Sequence, residues 1–481
     1  VSAPKTRTSF AGAPDAVIVG SGPNGLAAAL TLARAGLAVE VYEGADTPGG
    51  GCRSEQLTLP GFTHDVCSAV HPLLAASPFF AREPLANVTL KTPEVAFAHP
   101  LDGGRAATVV SSVEQTATAL GVDARAYRRV FGPSVENAAA IVPSVLGPLL
   151  APPSHPFAMA RFGLQGLLPV SVLARSFQTD AARALLAGAG AHSMRPLSAP
   201  GTSAFGLLLS VLAHAYGWPV VEGGSARVVQ ALVDELTATG GTLHTGHWIG
   251  SLDELPRARV TLLDITPKQL LKLGGDRLTP RYRRALDRFR YGPGVFKMDW
   301  ALDGPVPWTA PECRATPTLH VGGSFEEIAR SEADVNAGRH CERPFCIAVQ
   351  PCVIDPTRAP HRQHTFYAYC HVPSGSTVDM SERIEGQIER FAPGFRDLIL
   401  ARRTTSVSEI EAHNPNYVGG DINAGAATLR QTIFRPTIGL RPYRTSLPGV
   451  YLCSSSTPPG GGVHGMCGEG AAKAALHDLG L

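Results

Sequence analysis

A chain of 481 residues with 42 basic and 40 acidic side chains is long enough for two or three domains and too evenly charged to be steered onto nucleic acid. Its nine cysteines include no CxxC and no regular framework, so a disulfide scaffold is excluded and a reduced, cytoplasmic setting is expected. Cys341, Cys346 and Cys352 lack zinc-ligand spacing and read as ordinary buried thiols, so no metal is expected.

Val1–Pro14 is short, polar and basic, without the apolar stretch of a secretory leader, and is expected to be a flexible arm. Val17, Ile18 and Val19 then form a β-branched run suited to a buried parallel strand, and Gly20-Ser21-Gly22-Pro23-Asn24-Gly25 follows at once. Gly20 serves a tight turn, Gly22 the approach of a pyrophosphate, and Gly25 the close packing of a helix expected over Leu26–Ala35. That helix would turn its N-terminus toward the phosphates. Leu37–Tyr42 is the expected second strand. Glu43 at its end can accept from ribose hydroxyls and disfavours a ribose phosphate. The order strand, glycine turn, helix, strand and acid lifts the motif above a chance match among 51 glycines. Gly49, Gly50 and Arg53 come next.

From about 85 to 216 the composition turns to Ala, Leu, Pro and Gly with few acids, as in a helical cap over something apolar. Ala204–Tyr216 is apolar almost all round, so it should be buried or line a cavity. Phe157–Phe177 is apolar too, with Arg161 and Arg175 near its ends. A helix on the core is its first reading and a dip into a membrane surface its second. The uncharged stretches 137–160 and 196–221 are interrupted by prolines and glycines, which argues against transmembrane helices.

Val220–Ser225 introduces an amphipathic helix through Leu236, then Gly240-Gly241 and strands over Thr242–His247 and Arg259–Asp264. The basic run Arg277–Arg290 reads first as a solvated helix face and second as a surface for anionic lipid. Alternation makes Val295–Leu302 a strand with Val295, Lys297, Asp299 and Ala301 on one face, and strands over 345–354 and 364–372 extend an antiparallel sheet. Asp379–Phe391 has helical spacing, and His413–Gly425 is a polar, turn-rich loop of the kind that builds sites. A buried strand over 448–453 leads to a second glycine-rich turn, Gly461-Gly462-Val463-His464-Gly465-Met466, and a helix whose N-terminus can stabilise negative charge.

With the amino-terminal fingerprint, the middle GG segment, the Asn416–Ile422 motif NYVGGDI and the Tyr451–Gly465 motif YLCSSSTPPGGGVHG in order, the chain resembles the phytoene desaturase family over nearly its whole length. The resemblance is to the branch named for pyridine-nucleotide-disulphide oxidoreductase domains. It implies FAD in an α/β, Rossmann-like domain of glutathione-reductase type, discontinuous over 15–84, 217–270 and 425–481. Residues 85–216 and 271–424 would form an α+β substrate domain with an antiparallel sheet and helical cap. Gly20, Gly22, Pro23, Asn24, Gly25, Glu43 and Gly50 would hold the nucleotide end, and Arg53, within a GGxxR segment, the phosphates. Gly461, Gly462, Val463, His464 and Met466 would lie near the flavin ring. The Leu59–Pro72 segment would cross toward that ring, making His64, Asp65, Cys67 and His71 candidates for the site wall; a structural hydrogen-bonded role is the simpler reading of each.

Two catalytic candidates follow. Lys297 matches in kind a lysine that approaches flavin N5 in amine oxidases, against a plain pairing with Asp299 or Asp303. His464 could act as an acid or base near neutrality, or only shape its loop. Family members desaturate, oxidise or isomerise polyenes and other lipophilic molecules. The expected activity is therefore FAD-dependent dehydrogenation or flavin-assisted isomerisation of a lipophilic, polyene- or carotenoid-like substrate. An amine oxidase using Lys297 is the alternative, opposed by a closing loop without an aromatic residue beside the flavin. A non-catalytic binding or assembly module is the third reading. No second Rossmann fingerprint is evident, so oxygen or a quinone is the expected acceptor, with no nucleic-acid partner and peripheral membrane contact as a second expectation for its setting.

Overall fold

The computed structural model describes residues 13–481; the expected arm lies outside the described residues except for its last two positions. The strands of three or more residues are, in chain order, β1 (Ala16–Val19), β2 (Val39–Tyr42), β3 (Val95–Leu101), β4 (Arg105–Val110), β5 (Thr242–His244), β6 (Val260–Leu263), β7 (Gly294–Leu302), β8 (Thr318–Val321), β9 (Cys346–Val349), β10 (His364–Val372), β11 (Ile399–Thr405) and β12 (Val450–Leu452). They form two main sheets. The first is wholly parallel, in the order β12-β6-β1-β2-β5. The second is mixed, in the order β11-β7-β10-β9-β8-β3-β4, antiparallel except where β8 meets β3.

Strands of the parallel sheet come from three stretches far apart in sequence, and β1 sits at its centre with all four residues buried. Helix α1 (Pro23–Arg34) follows β1 directly and begins at Pro23, earlier than Leu26, because proline is tolerated where the first turn has no partner for its N–H. Its small face, Ala27, Ala28 and Ala29, is fully buried. Close helix packing explains the composition: a Cβ on Gly468 of the C-terminal helix would fall on the carbonyl of Asn24, and one on Gly25 on the carbonyl of Gly20.

In the mixed sheet, period-two alternation separates two faces. Phe296, Met298, Trp300, Phe366 and Ala368 join Trp308 and Phe395 in an aromatic core. The opposite face carries Lys297, Asp299, Tyr367 and Tyr369, with Lys297 in register with Tyr369 and Asp299 with Tyr367. Helices cover that side: α2 (Pro156–Gly166), α3 (Val170–Leu173), α4 (Asp180–Ala191) and α5 (Thr202–Ala215). Helix α6 (Ala226–Ala238) returns the chain to α1; the C-terminal helix is α7 (Met466–Leu479).

Two expectations need correction. The strand expected over 345–354 stops at Val349, since Pro351 cannot donate to the ladder and opens a short 3₁₀ turn. The apolar stretch Phe157–Phe177 is a bent pair rather than one helix, turning by 93° before Val170, where Pro169 breaks the backbone ladder. No single helix among the described residues is long and apolar enough to cross a membrane.

Candidate functional site

One cavity of about 960 Å³ runs from the C-terminal ends of β1, β2 and β6 to the helical cap. It opens at the edge of the parallel strands where ligands of open α/β sheets bind. Its nucleotide end is built by Gly20, Gly22, Pro23, Asn24, Glu43, Gly50 and Arg53, all on the wall, with Gly25 packed just behind it. Gly20 and Gly50 have φ of 98° and 53°, and a Cβ on Gly50 would press on the Gly22 Cα at 3.2 Å. The two glycine turns therefore fit only without side chains.

Glu43 does not hold a free carboxylate toward the cavity. Its Oε2 accepts from the Ser21 N–H at 2.9 Å and the Ser21 hydroxyl at 2.6 Å, its Oε1 from the Ala45 N–H at 3.0 Å, and Arg53 Nη2 lies 3.5 Å from Oε1. Arg53 is 6 % exposed; it donates to the Thr47 carbonyl at 2.7 Å and points Nη1 at His413 Nε2 at 3.3 Å, while its Nε has no partner. Asn24 Oδ1 is also buried and unpartnered. Buried orphans of this kind carry a desolvation cost that a polar ligand relieves. With the glycine cradle, they fit a dinucleotide.

Asp264, at the end of β6, was not among the expected residues. It is on the cavity wall, and its Oδ2 accepts from the Gly25 N–H at 3.0 Å at the start of α1. Burial, with the Glu43 charge nearby, pushes its carboxyl up to about 7 despite that hydrogen bond. An acid ending the strand that neighbours a glycine turn is the signal that could have found it. Trp248, 62 % exposed, packs on Gly44 and lines the same end.

At the ring end, Gly461, Gly462, Val463 and His464 line the cavity and Met466 does not; Met466 is the first residue of α7, and its N–H donates to His464 Nδ1 at 3.0 Å. Since His464 Nδ1 accepts, its Nε2–H is the donor to the Gly460 carbonyl at 3.2 Å. Both ring nitrogens are spent, and burial lowers its pKa to about 4. His464 shapes the loop and is not poised as an acid or base.

Lys297 likewise departs from its catalytic reading. It is 4 % exposed and off the cavity wall, with its ammonium on both oxygens of fully buried Asp299 and 4.6 Å above the Tyr367 ring. Of the four Leu59–Pro72 candidates, Cys67 and His71 reach the wall and His64 and Asp65 do not. His64 bonds Thr58 at 2.7 Å. Asp65 lies in a buried cluster with Ser54, Ser225 and Arg358 that holds its carboxyl below the usual range against the pull of burial. His64 Nδ1 also lies 3.4 Å from Asp299 Oδ1, which ties this segment to the mixed sheet.

The far end of the cavity is apolar, walled by Leu73, Leu146, Leu149, Phe162, Phe205, Leu208 and Leu209, with Tyr367, Tyr369, Thr318 and His192 along the sheet side. Ala204–Tyr216 thus does line a cavity, through one face of α5.

Residues 18–80 match the family model described as an NAD(P)-binding Rossmann-like domain. Over nearly their full lengths, the chain is 26 % identical to the pyridine nucleotide-disulfide oxidoreductase domain-containing protein 2 of Rattus norvegicus, covering 97 % of this chain and 94 % of that one. It is 23 % identical to a lycopene-forming phytoene desaturase of a Paracoccus species, covering 96 % and 97 %. Cyclohexylamine oxidase from Brevibacterium oxydans shares the fold, with a TM-score of 0.61 at 15 % identity, covering 98 % of this chain and all of that one. Fold, cradle and relatives together define the class of FAD-dependent oxidoreductases with a Rossmann-type domain and an amine oxidase-like architecture. Within it, the chain is a relative of the phytoene desaturases and of the pyridine nucleotide-disulfide oxidoreductase domain-containing proteins.

Proposed function

We propose that the chain binds FAD along this cavity and dehydrogenates or isomerises a lipophilic, polyene-like molecule held beside the flavin ring. One observation carries the reading: the cavity that begins in the glycine cradle continues without a break into an apolar chamber walled by Leu73, Leu146, Leu149, Phe162, Phe205 and Leu208. Bound flavin supplies a two-electron acceptor for a hydride from a C–H bond. The protein's part is to position and to exclude water. Arg53 and the α1 N-terminus would hold the phosphates, and the Gly461–His464 loop would bound the ring. The α7 N-terminus that follows this loop favours negative charge nearby.

Oxygen or a quinone is proposed as acceptor. A lipophilic substrate also motivates a peripheral membrane contact through α2 and α3. Phe157 is 91 % and Leu164 74 % exposed there, Arg161 and Arg175 are exposed, and residues 137–179 contain no acid. An amine substrate lacks its expected support, since Lys297 is committed to Asp299.

The test is anaerobic. FAD-reconstituted protein is mixed with a polyene panel and, separately, with an amine panel read by peroxide on re-aeration. Bleaching of the flavin bands by polyenes alone, or net isomerisation without bleaching, is expected. Turnover of a simple amine would replace the reading with the amine one, and inertness toward every donor would favour a binding module.

A further inference from the structure

Three buried histidines have an Nδ1 with no hydrogen-bond partner: His71, His99 and His320. Two of them have their tautomers fixed by their surroundings. His99 Nε2 faces the Gly323 carbonyl at 2.7 Å, and a carbonyl only accepts, so Nε2 carries the hydrogen. His71 Nε2 faces the Ser225 hydroxyl at 2.9 Å, and that hydroxyl already donates to the Ser68 carbonyl, so again Nε2–H donates. In both rings the bare atom is a lone pair rather than an N–H. Orphaned buried N–H groups are the rarer kind.

His320 follows the same logic with a different partner. Its Nε2 lies 2.9 Å from Nε2 of His192, the residue that caps the C-terminus of α4. One ring must donate and the other accept. If His320 accepted there, its hydrogen would sit on Nδ1, buried against the Gly188 backbone with nothing to receive it. His320 therefore donates from Nε2, His192 accepts at Nε2, and the His192 hydrogen is on Nδ1. His192 is half-buried, lines the cavity, and its Nδ1 is not among the sealed, unpartnered atoms. Burial keeps the ring neutral, lowering its pKa to about 3, with His371, paired to Glu332 at 2.8 Å, pushing the same way. The other ionisable groups of the neighbouring sheet face are Lys297 and Asp299, which pair with each other, and His64, 3.4 Å from Asp299.

We infer that His192 presents a fixed Nδ1–H donor to the chamber and selects a lipophilic substrate bearing an oxygen acceptor, such as a carbonyl or ether, over the pure hydrocarbon. The inference rests on the proposed lipophile chamber and narrows its occupant. An Nδ1–H locked by a second buried ring cannot turn into an acceptor, so it favours neutral oxygen compounds over ammonium groups. Tyr369 and Thr318 line the same cavity, and the Thr318 hydroxyl already accepts from Trp218 Nε1–H at 3.1 Å.

The test uses FAD-loaded protein and displacement of bound Nile red by 2-undecanone or by n-undecane, in native protein and in His192→Leu, His192→Asn and His320→Leu. His192→Leu should weaken the ketone about tenfold, the worth of one buried hydrogen bond, and leave the alkane within about twofold. His192→Asn, whose amide N–H stands near the Nδ1 position, should restore most of the ketone affinity. His320→Leu, which unlocks the tautomer, should fall between, and the native preference should be flat from pH 5 to 8. Equal losses for both probes in His192→Leu, or an unchanged ketone affinity, would overturn the donor role while leaving the chamber intact. If neither probe displaces the dye from native protein, the lipophile chamber itself is wrong and the inference falls with it.

Discussion

The glycine-cradle end and the apolar end of the cavity are built on opposite principles. At the glycine-cradle end, backbone sets the shape: a Cβ on Gly25 or Gly468 would fall on a carbonyl, and Gly20 and Gly50 hold positive φ with neighbours 3.1 and 3.2 Å from a Cβ position. At the substrate end, side chains make the wall, and leucines of α5 face a sheet carrying Tyr367, Tyr369 and Thr318. The first kind of site tolerates no substitution without moving the fold. The second can change its lining while the scaffold stays.

The sharpest way to break this contrast is to swap sizes at the two ends. Gly468→Val should destabilise by roughly 3 kcal/mol or more, through overpacking of α7 on α1, and abolish FAD retention. Leu208→Ala, beside an existing void, should cost only about 1 kcal/mol and keep FAD. Urea unfolding with flavin absorbance on the same samples reads both, and similar losses would erase the distinction.

Lys297, off the cavity wall on the sheet face that carries Tyr367, tests whether that polar face is structural. Lys297→Met should destabilise by about 3 kcal/mol, because buried Asp299 would lose its ammonium and keep only the His64 ring, 3.4 Å away. Lys297→Met with Asp299→Leu should recover most of that. If instead the single variant is stable and only flavin reduction slows, the lysine serves chemistry after all.

A smaller effect concerns pH. Asp264 titrates at about 7 in the folded protein against 3.8 in the reference state. A raised acid contributes its stability fully below about pH 4 and loses it as the pH rises to about 7. In apo protein, the stability of Asp264→Asn relative to native should therefore grow between pH 4 and 7 and level off above. Thermal unfolding of both across that range reads it, and a constant difference would show that the carboxyl is already ionised. The smallest change in stability is expected for Leu208→Trp, which should fill the chamber and cut lipophile affinity with FAD binding untouched.

Much of this architecture was legible in the sequence because it rests on local signals. Val17–Gly25 announces a strand, a turn and a helix start through β-branching, glycine and proline, and Tyr451–Gly465 does so again at the other end. The alternation of Val295–Leu302 gave both the strand and the common face of Lys297 and Asp299. What stayed hidden depends on long-range partners. Nothing near Asp264 in sequence says that its carboxylate meets the Gly25 N–H, 239 positions away. Nothing near His192 predicts His320, and nothing near His464 says that both of its nitrogens are consumed by its own loop. Composition marked the helical cap, yet the bend at Pro169 lay in a stretch whose apolarity read as one continuous helix.

If a single cavity joins a flavin to a lipophile, the anaerobic visible spectrum of FAD-reconstituted protein will report it. Two flavin bands should survive gel filtration and be perturbed or bleached by an apolar polyene, with Leu208→Trp keeping the bands and losing the response. Failure to retain FAD, or retention with an identical polyene response in Leu208→Trp, would contradict it.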